Sequence, residues 1–234
     1  MNILIAGANG DIGTNLGKEL TARGHQLSSL SRSDSPDWSQ HHLTLDCTTA
    51  MAVERISDWL KQLPATPDCV IQCAGILHRG DQRPEKALRD IDVGWLAESV
   101  RINLISHLQL AQAVTPFVSR KHPVRWLSLS ARVSSMGDNY LGGWHSYRMS
   151  KAALNMLVRN ISIEWARKSP ESIAIAVHPG TTESSLSAPF QKNIAADKLY
   201  SPELTAQRLA NISETLTPEM NGKLINWDGK PLPY

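Results

Sequence analysis

The sequence predicts a single doubly wound α/β domain, a central and mostly parallel sheet of about seven strands flanked by helices. Three observations lead there. Short apolar runs alternate with longer stretches of helical period along the 234 residues, and parallel strands need such crossovers. Cys69-Val70-Ile71 is continuously apolar, as a strand covered on both faces must be. The first apolar run also passes straight into a glycine-rich turn and then a helical stretch.

Taken in order, Ile3-Leu4-Ile5-Ala6 marks a strand over residues 2–6, and the helical period after the glycines marks a helix over 12–23. Strands follow over 26–30 and 42–45, separated by a polar, proline-containing loop at 31–39. A helix over 50–62 leads to the buried strand at 69–73. A long helical stretch, 91–119, precedes the strand at 125–130, and a second, 146–168, precedes the strand at 172–177. The last helix spans 202–216 and the last strand 223–225. No internal repeat, low-complexity tract or shift in composition marks a linker, so residues 1–234 read as one domain.

Composition narrows the function. An apolar content of 41% with 20% charged residues is ordinary for a globular core. A net charge of +2 is too small to indicate a nucleic-acid or membrane-surface partner. No window reaches the about 18 uncharged apolar residues that a membrane span requires. Met1 runs directly into the first strand with no basic segment, so no signal peptide is expected and the chain reads as cytoplasmic. Cys47, Cys69 and Cys73 lack metal-ligand spacing, and no other cluster suggests a metal site. His41 and His42 read as a solvated strand entrance.

The turn Gly7-Ala8-Asn9-Gly10-Asp11-Ile12-Gly13 lies between a strand and a helix. A pyrophosphate wants backbone N–H donors and a helix N-terminus, and glycine lets the backbone approach it closely. Glycines cluster in ordinary turns too; the strand-turn-helix context is what favours a dinucleotide. At the tip of the second strand, Leu30-Ser31-Arg32-Ser33 has no acid before Asp34. Arg32 suits the 2′-phosphate of NADP(H) through a charge-assisted contact, with NAD(H) as the alternative and a solvated surface arginine as the plain reading. Cys73-Ala74-Gly75 offers small residues at a strand end where a dinucleotide could cross the sheet. Asp46 reads equally as a cofactor contact or as the N-cap of the following helix.

Tyr147 and Lys151 are four residues apart in a helical stretch, hence on one helix face. A free phenol titrates near pH 10 and is a poor acid/base partner at neutrality. An ammonium about 4 Å away, at an effective dielectric near 20, would contribute roughly 4 kcal/mol, or about three pKa units. That spacing alone is common on helices.

The order of motifs adds to the pair. The glycine turn, Cys73-Ala74-Gly75, Asn103, a serine-rich strand end, Tyr147-Arg148-Met149-Ser150-Lys151 and Pro179-Gly180 together resemble the short-chain dehydrogenase/reductase family over nearly the whole chain. Gly142-Gly143 ahead of Tyr147, Ala152-Ala153-Leu154-Asn155 after Lys151, and the tail from Asn221 to Tyr234 resemble its C-factor and sniffer-like carbonyl reductase branch. The resemblance implies a Rossmann-type fold and NADP(H)-dependent interconversion of a carbonyl and an alcohol. It implies that Tyr147 exchanges the proton and that Lys151 holds the nicotinamide ribose and depresses the phenol. Asn103 would support a water-mediated relay, and Pro179, Gly180, Thr181, Thr182 and Ser184 would border the carboxamide. It further implies a homodimer or homotetramer packed through residues 91–119 and 146–168.

Two residues depart from the family pattern. Asp11 stands where short members carry glycine, giving the spacing of an epimerase-like branch and placing a carboxylate near the phosphate site. Ala131, in Ser128-Leu129-Ser130-Ala131-Arg132, stands where the family serine ends the fifth strand. Ser130 or Ser135 is expected to return that hydroxyl, though neighbours on a strand point to opposite faces. Without it, one polarising hydrogen bond is missing, and a dinucleotide-binding sensor with weak catalysis becomes the rival reading. Trp144 is the tryptophan best placed to line a pocket, and residues 182–201 are the expected substrate lid.

Overall fold

The computed structural model describes residues 1–192 and 194–234. One eight-stranded sheet, in the order β10-β9-β6-β5-β4-β1-β2-β3, organises the molecule. Its strands are β1 (Asn2–Ala6), β2 (Gln26–Ser31), β3 (His41–Thr44), β4 (Cys69–Gln72), β5 (Arg125–Leu129), β6 (Ile173–His178), β9 (Leu224–Asn226) and β10 (Pro231–Leu232). All neighbours are parallel except β10, which runs antiparallel to β9. Two short strands, β7 (Thr181–Thr182) and β8 (Leu199–Tyr200), pair apart from this sheet.

Alternation along each strand divides the core in two. Ile3, Ile5, Leu127, Leu129, Ile173, Ile175 and Val177 pack against α1 (Asp11–Ala22) and α6 (Pro202–Glu214) through Leu16, Leu20, Leu209 and Ile212. Leu4, Val70, Trp126, Ala174 and Ala176 face the other way, towards α2 (Ala52–Gln62), α4 (Ser106–Val114) and α5 (His145–Lys168). A period of two on a strand puts consecutive residues on opposite faces, so a sheet with helices on both sides needs the unbroken apolar runs seen here. Trp126 and Trp165 meet edge to face at 5.8 Å in the second layer, and each indole N–H is satisfied, by Ser128 and Thr115 respectively.

One expectation needs correction. The stretch over 91–119 is not one helix: α3 (Val93–Val100) passes through a π-helical turn, Arg101–Ile105, into α4 and then a 3₁₀ turn, Thr115–Phe117. Asn103 lies in that widened turn, and its amide bonds to both main-chain groups of Ile76; Pro116 ends the run. The expected sheet of about seven strands is present with eight, β10 folding back on β9 through a turn containing Gly229 at φ +81°. A two-residue strand opening on proline carries no periodicity to read.

Candidate active site

The chain leaves β1 for β2 on one side and returns through β4 on the other, so the carboxyl ends of β1 and β4 open a crevice where ligands of such sheets bind. Gly7 turns there at φ +72°, and a Cβ on it would lie 2.6 Å from the Ala74 main-chain nitrogen. A Cβ on Gly13 would lie 2.4 Å from the Gly7 carbonyl. Neither position admits a side chain, so the turn presses bare backbone to the crevice. Gly10, the N-cap of α1, supplies no side-chain cap, and the first-turn N–H groups stay available to an anion. The residues therefore fit a dinucleotide pyrophosphate.

Asn9 is exposed, and its amide donates to Ser33 Oγ and to the Asp34 carbonyl, both at 2.9 Å, tying the turn to the tip of β2. Arg32 is exposed at that tip. Asp46 accepts from the N–H and hydroxyl of Thr48 at 2.8 and 2.7 Å. Burial would raise its carboxyl, but those bonds and the charges of Arg101 and Arg32 hold it below the ordinary range. It does not cap α2, which begins only at Ala52 with Met51 as its N-cap.

A cavity of about 710 Å³ opens beside this cradle. Cys73, Gly75, Tyr147, Lys151, Pro179, Gly180, Thr182 and Ser184 all line it, with Leu77, Val133, Leu141, Trp144, Leu186 and Phe190 as apolar walls. Tyr147 and Lys151 share one face of α5. The Lys151 ammonium donates to the Leu129 carbonyl at 2.7 Å and stands 6.0 Å from the centre of the Tyr147 ring. The expected depression of the phenol is absent: burial pushes Tyr147 above its ordinary value and lowers Lys151 to about 7. Desolvation is the leading cause of both shifts. A Cβ on Gly75 would come within 3.3 Å of both Asn103 Oδ1 and Lys151 Nζ, so the small residue leaves these polar groups room.

The family model for short chain dehydrogenase matches residues 1–195. The chain belongs to the short-chain dehydrogenase/reductase family. This oxidoreductase is 26% identical over 231 residues, covering 97% of this chain and 96% of the other, to 1-hydroxy-2-glutathionyl-2-methyl-3-butene dehydrogenase of Rhodococcus sp. (strain AD45). It is 29% identical over 149 residues to C-signal of Myxococcus xanthus, covering 63% and 84%. In structure it is similar to carbonyl reductase Sniffer of D. melanogaster, with a TM-score of 0.83, 19% identity and coverage of 100% and 99%. The C-factor and sniffer-like resemblance read from the sequence agrees with these relatives.

In this short-chain dehydrogenase Ala131 stands where the resemblance places the family serine. Ala131 sits in the cavity wall, with Ser130 beside it. Ser130 Oγ donates to Asn155 Oδ1 at 2.7 Å, and Asn155 Nδ2 donates to Ser134 Oγ at 2.7 Å, closing a buried triad. Ser130 lines the cavity with its hydroxyl donated to Asn155, whereas Ser135 is not among the lining residues and its hydroxyl accepts from the Asp138 N–H at 3.0 Å. Asp11 is likewise committed, accepting from the N–H and hydroxyl of Ser185 at 2.8 Å each, so it anchors the segment after β7. Thr182 and Thr205 share their hydroxyls at 2.9 Å, and Ser184 turns back on the Thr182 carbonyl.

Three polar residues escaped sequence reasoning. His107 is fully buried, with its ring nitrogens on Ser128 Oγ and on the Ala74 carbonyl at the cradle, and burial beside the Lys151 charge lowers it to about 3. Asn155 closes the serine triad. Glu85 reaches the start of α5 from a loop. A lone polar residue in a helix or loop gives no signal in one sequence.

Proposed function

We propose that this short-chain dehydrogenase/reductase interconverts a carbonyl and an alcohol with NADP(H), with Tyr147 as the acid/base. The observation that carries the reading is that Tyr147 and Lys151 line the same cavity that opens beside the bare-backbone cradle of Gly7 and Gly13. When bound, the nicotinamide would supply or accept the hydride. Gly7, Gly10, Ile12 and Gly13 would hold the pyrophosphate, Arg32 the 2′-phosphate, and Asp46 and Ala74 the adenosine side.

Burial keeps the Tyr147 phenol protonated at neutral pH. That is the state needed to donate to the substrate oxygen as the carbonyl is reduced. Lys151, lowered to about 7, changes protonation near neutrality and can return that proton. Asn103, bonded to Ile76 and to Ser150 Oγ, holds the loop after β4 against α5. The apolar walls favour an apolar or aromatic carbonyl compound. Met149, Met156 and Ile163, exposed along α5, support a homodimer or homotetramer through that helix.

The missing hydroxyl at Ala131 favours a second reading, a dinucleotide-binding sensor with weak turnover. One experiment separates them: NADPH oxidation on a panel of aldehydes and ketones by the wild type and Tyr147→Phe. Turnover that vanishes in the variant supports the reductase. Tight NADPH binding with no turnover on any carbonyl supports the sensor.

A further inference from the structure

We propose that Glu85 is a positioning residue for Tyr147, a carboxylate that caps the active-site helix α5 from a separate loop. The inference rests on the reductase reading for its kinetic consequence, while its structural half stands by itself.

A helix leaves its first N–H groups unsatisfied, and Ser, Thr, Asp or Asn at the N-cap is the usual remedy. The N-cap of α5 is Trp144, whose indole cannot accept a hydrogen bond and which makes no cap. Trp144 is also the single non-glycine residue at positive φ among the described residues, at +50°. That conformation is strained for a bulky side chain and persists only where the surroundings impose it. The ring is committed elsewhere, 5.1 Å from Phe190 in the segment over the cavity and 6.3 Å from Tyr147. Position 144 serves the cavity wall, and the cap must come from another residue.

Glu85 supplies it. Its carboxylate accepts from the Ser146 N–H at 3.2 Å and from the Ser146 hydroxyl, and its main-chain carbonyl accepts from the Trp144 N–H at 2.5 Å. The residue is only 3% exposed and, among the described residues, forms no ion pair. A buried carboxylate without a cation is costly unless hydrogen bonds and a helix N-terminus compensate it, and those are what it meets. Ser146 is the residue before Tyr147. Three bonds from one loop residue therefore fix the first turn, the Trp144 wall and the entry angle of the phenol together.

The test compares Glu85→Gln, Glu85→Asp and wild type. Glutamine keeps the size but turns an N–H₂ group on donors. NADPH binding, followed by nicotinamide fluorescence, is expected to stay at wild-type stoichiometry with Kd within about threefold, because the glycine turn is untouched. Over the same variants kcat is expected to fall about tenfold or more in Glu85→Gln and to recover in part in Glu85→Asp. Amide exchange over residues 145–148 is expected to quicken about tenfold in Glu85→Gln, with the first turn of α1 unchanged. The proposal is overturned if that exchange is unaltered. It is equally overturned if kcat stays within about twofold of wild type, or if kcat and NADPH stoichiometry fall in proportion, as loss of folded protein alone would give. A wild type without Tyr147-dependent turnover would sink the reductase reading instead, and the exchange measurement would still decide whether Glu85 is the cap.

Discussion

Replacing Lys151 by methionine should stabilise the dinucleotide-free protein below pH 9 and flatten its dependence on pH. The ammonium is buried and its pKa falls from 10.5, the value of a free lysine side chain, to about 7, with desolvation as the cause. A base whose folded pKa is depressed makes the unfolded chain bind more protons between the two values, so stability rises with pH across that window. The penalty is complete below about pH 7 and gone above about pH 10.5. Integrating the linkage from pH 6 to pH 9 gives wild type a gain of about 3 kcal/mol that Lys151→Met should lack. His178, which burial lowers to about 4, titrates in both proteins and cancels, and His107, lowered to about 3 by burial first and by the Lys151 charge second, stays depressed by burial in the variant and adds little between pH 6 and pH 9. Tyr147 is raised, so its effect enters only above about pH 10 and with the opposite sign. Urea unfolding of both proteins at half-unit steps from pH 6 to pH 9 measures the difference directly. Parallel curves would mean that the ammonium is not desolvated, and the proton-return role assigned to it would fall as well.

Arg32→Ala should weaken NADPH binding by about 2 kcal/mol, the loss of one charge-assisted pair, and leave NADH nearly unchanged; a titration in which both dinucleotides weaken equally would remove Arg32 from the 2′-phosphate site. Gly13→Ala should abolish tight dinucleotide binding, since its Cβ would fall 2.4 Å from the Gly7 carbonyl, and calorimetry giving a wild-type Kd would contradict the cradle. Gly17→Ala reverses the usual helix rule. Alanine in a helix interior is ordinarily better by about 1 kcal/mol, but here the methyl would lie 2.1 Å from the Trp38 ring, so a lower Tm is expected and a higher one would show that the ring can move aside. Ala131→Ser should raise kcat by about tenfold or more by restoring a polarising donor at the cavity wall, and an unchanged kcat in an active wild type would mean that the hydroxyl is not needed.

The fold was legible because its signals are redundant. The central parallel strands β1, β4, β5 and β6 are buried on both faces and had to be apolar, and the predicted strands at 2–6, 69–73 and 125–130 differ from the observed ones by at most a residue at one end. What escaped was local. The π turn at Arg101–Ile105 is one extra residue in a helical stretch, and no period of 3.6 detects it, yet it sends Asn103 to Ile76. The cradle was legible because only glycine tolerates Gly7 at +72° and Gly13 against a carbonyl. The electrostatics were not. Residue spacing put Tyr147 and Lys151 on one face, but the sign of the shift depends on how much protein surrounds each group, and sequence carries no measure of that.

The two departures from the family pattern illustrate that limit from opposite sides. In the sequence, Asp11 looks hostile to a phosphate, while Ala131 looks like a gap that an adjacent serine could fill. In the folded chain the ranking inverts. The Asp11 carboxylate is held by Ser185, so the acid at the mouth of the cradle ties the segment after β7 to the start of α1. Ser130 and Ser134, beside Ala131, satisfy one another and Asn155, because buried hydroxyls must find partners and these find them within the protein. On the proposed reductase reading, a chemistry without a hydroxyl at position 131 would depend more heavily on how well the phenol is placed. The first turn of α5, where Trp144 gives up its capping role and Glu85 assumes it, is where the chain invests in that placement.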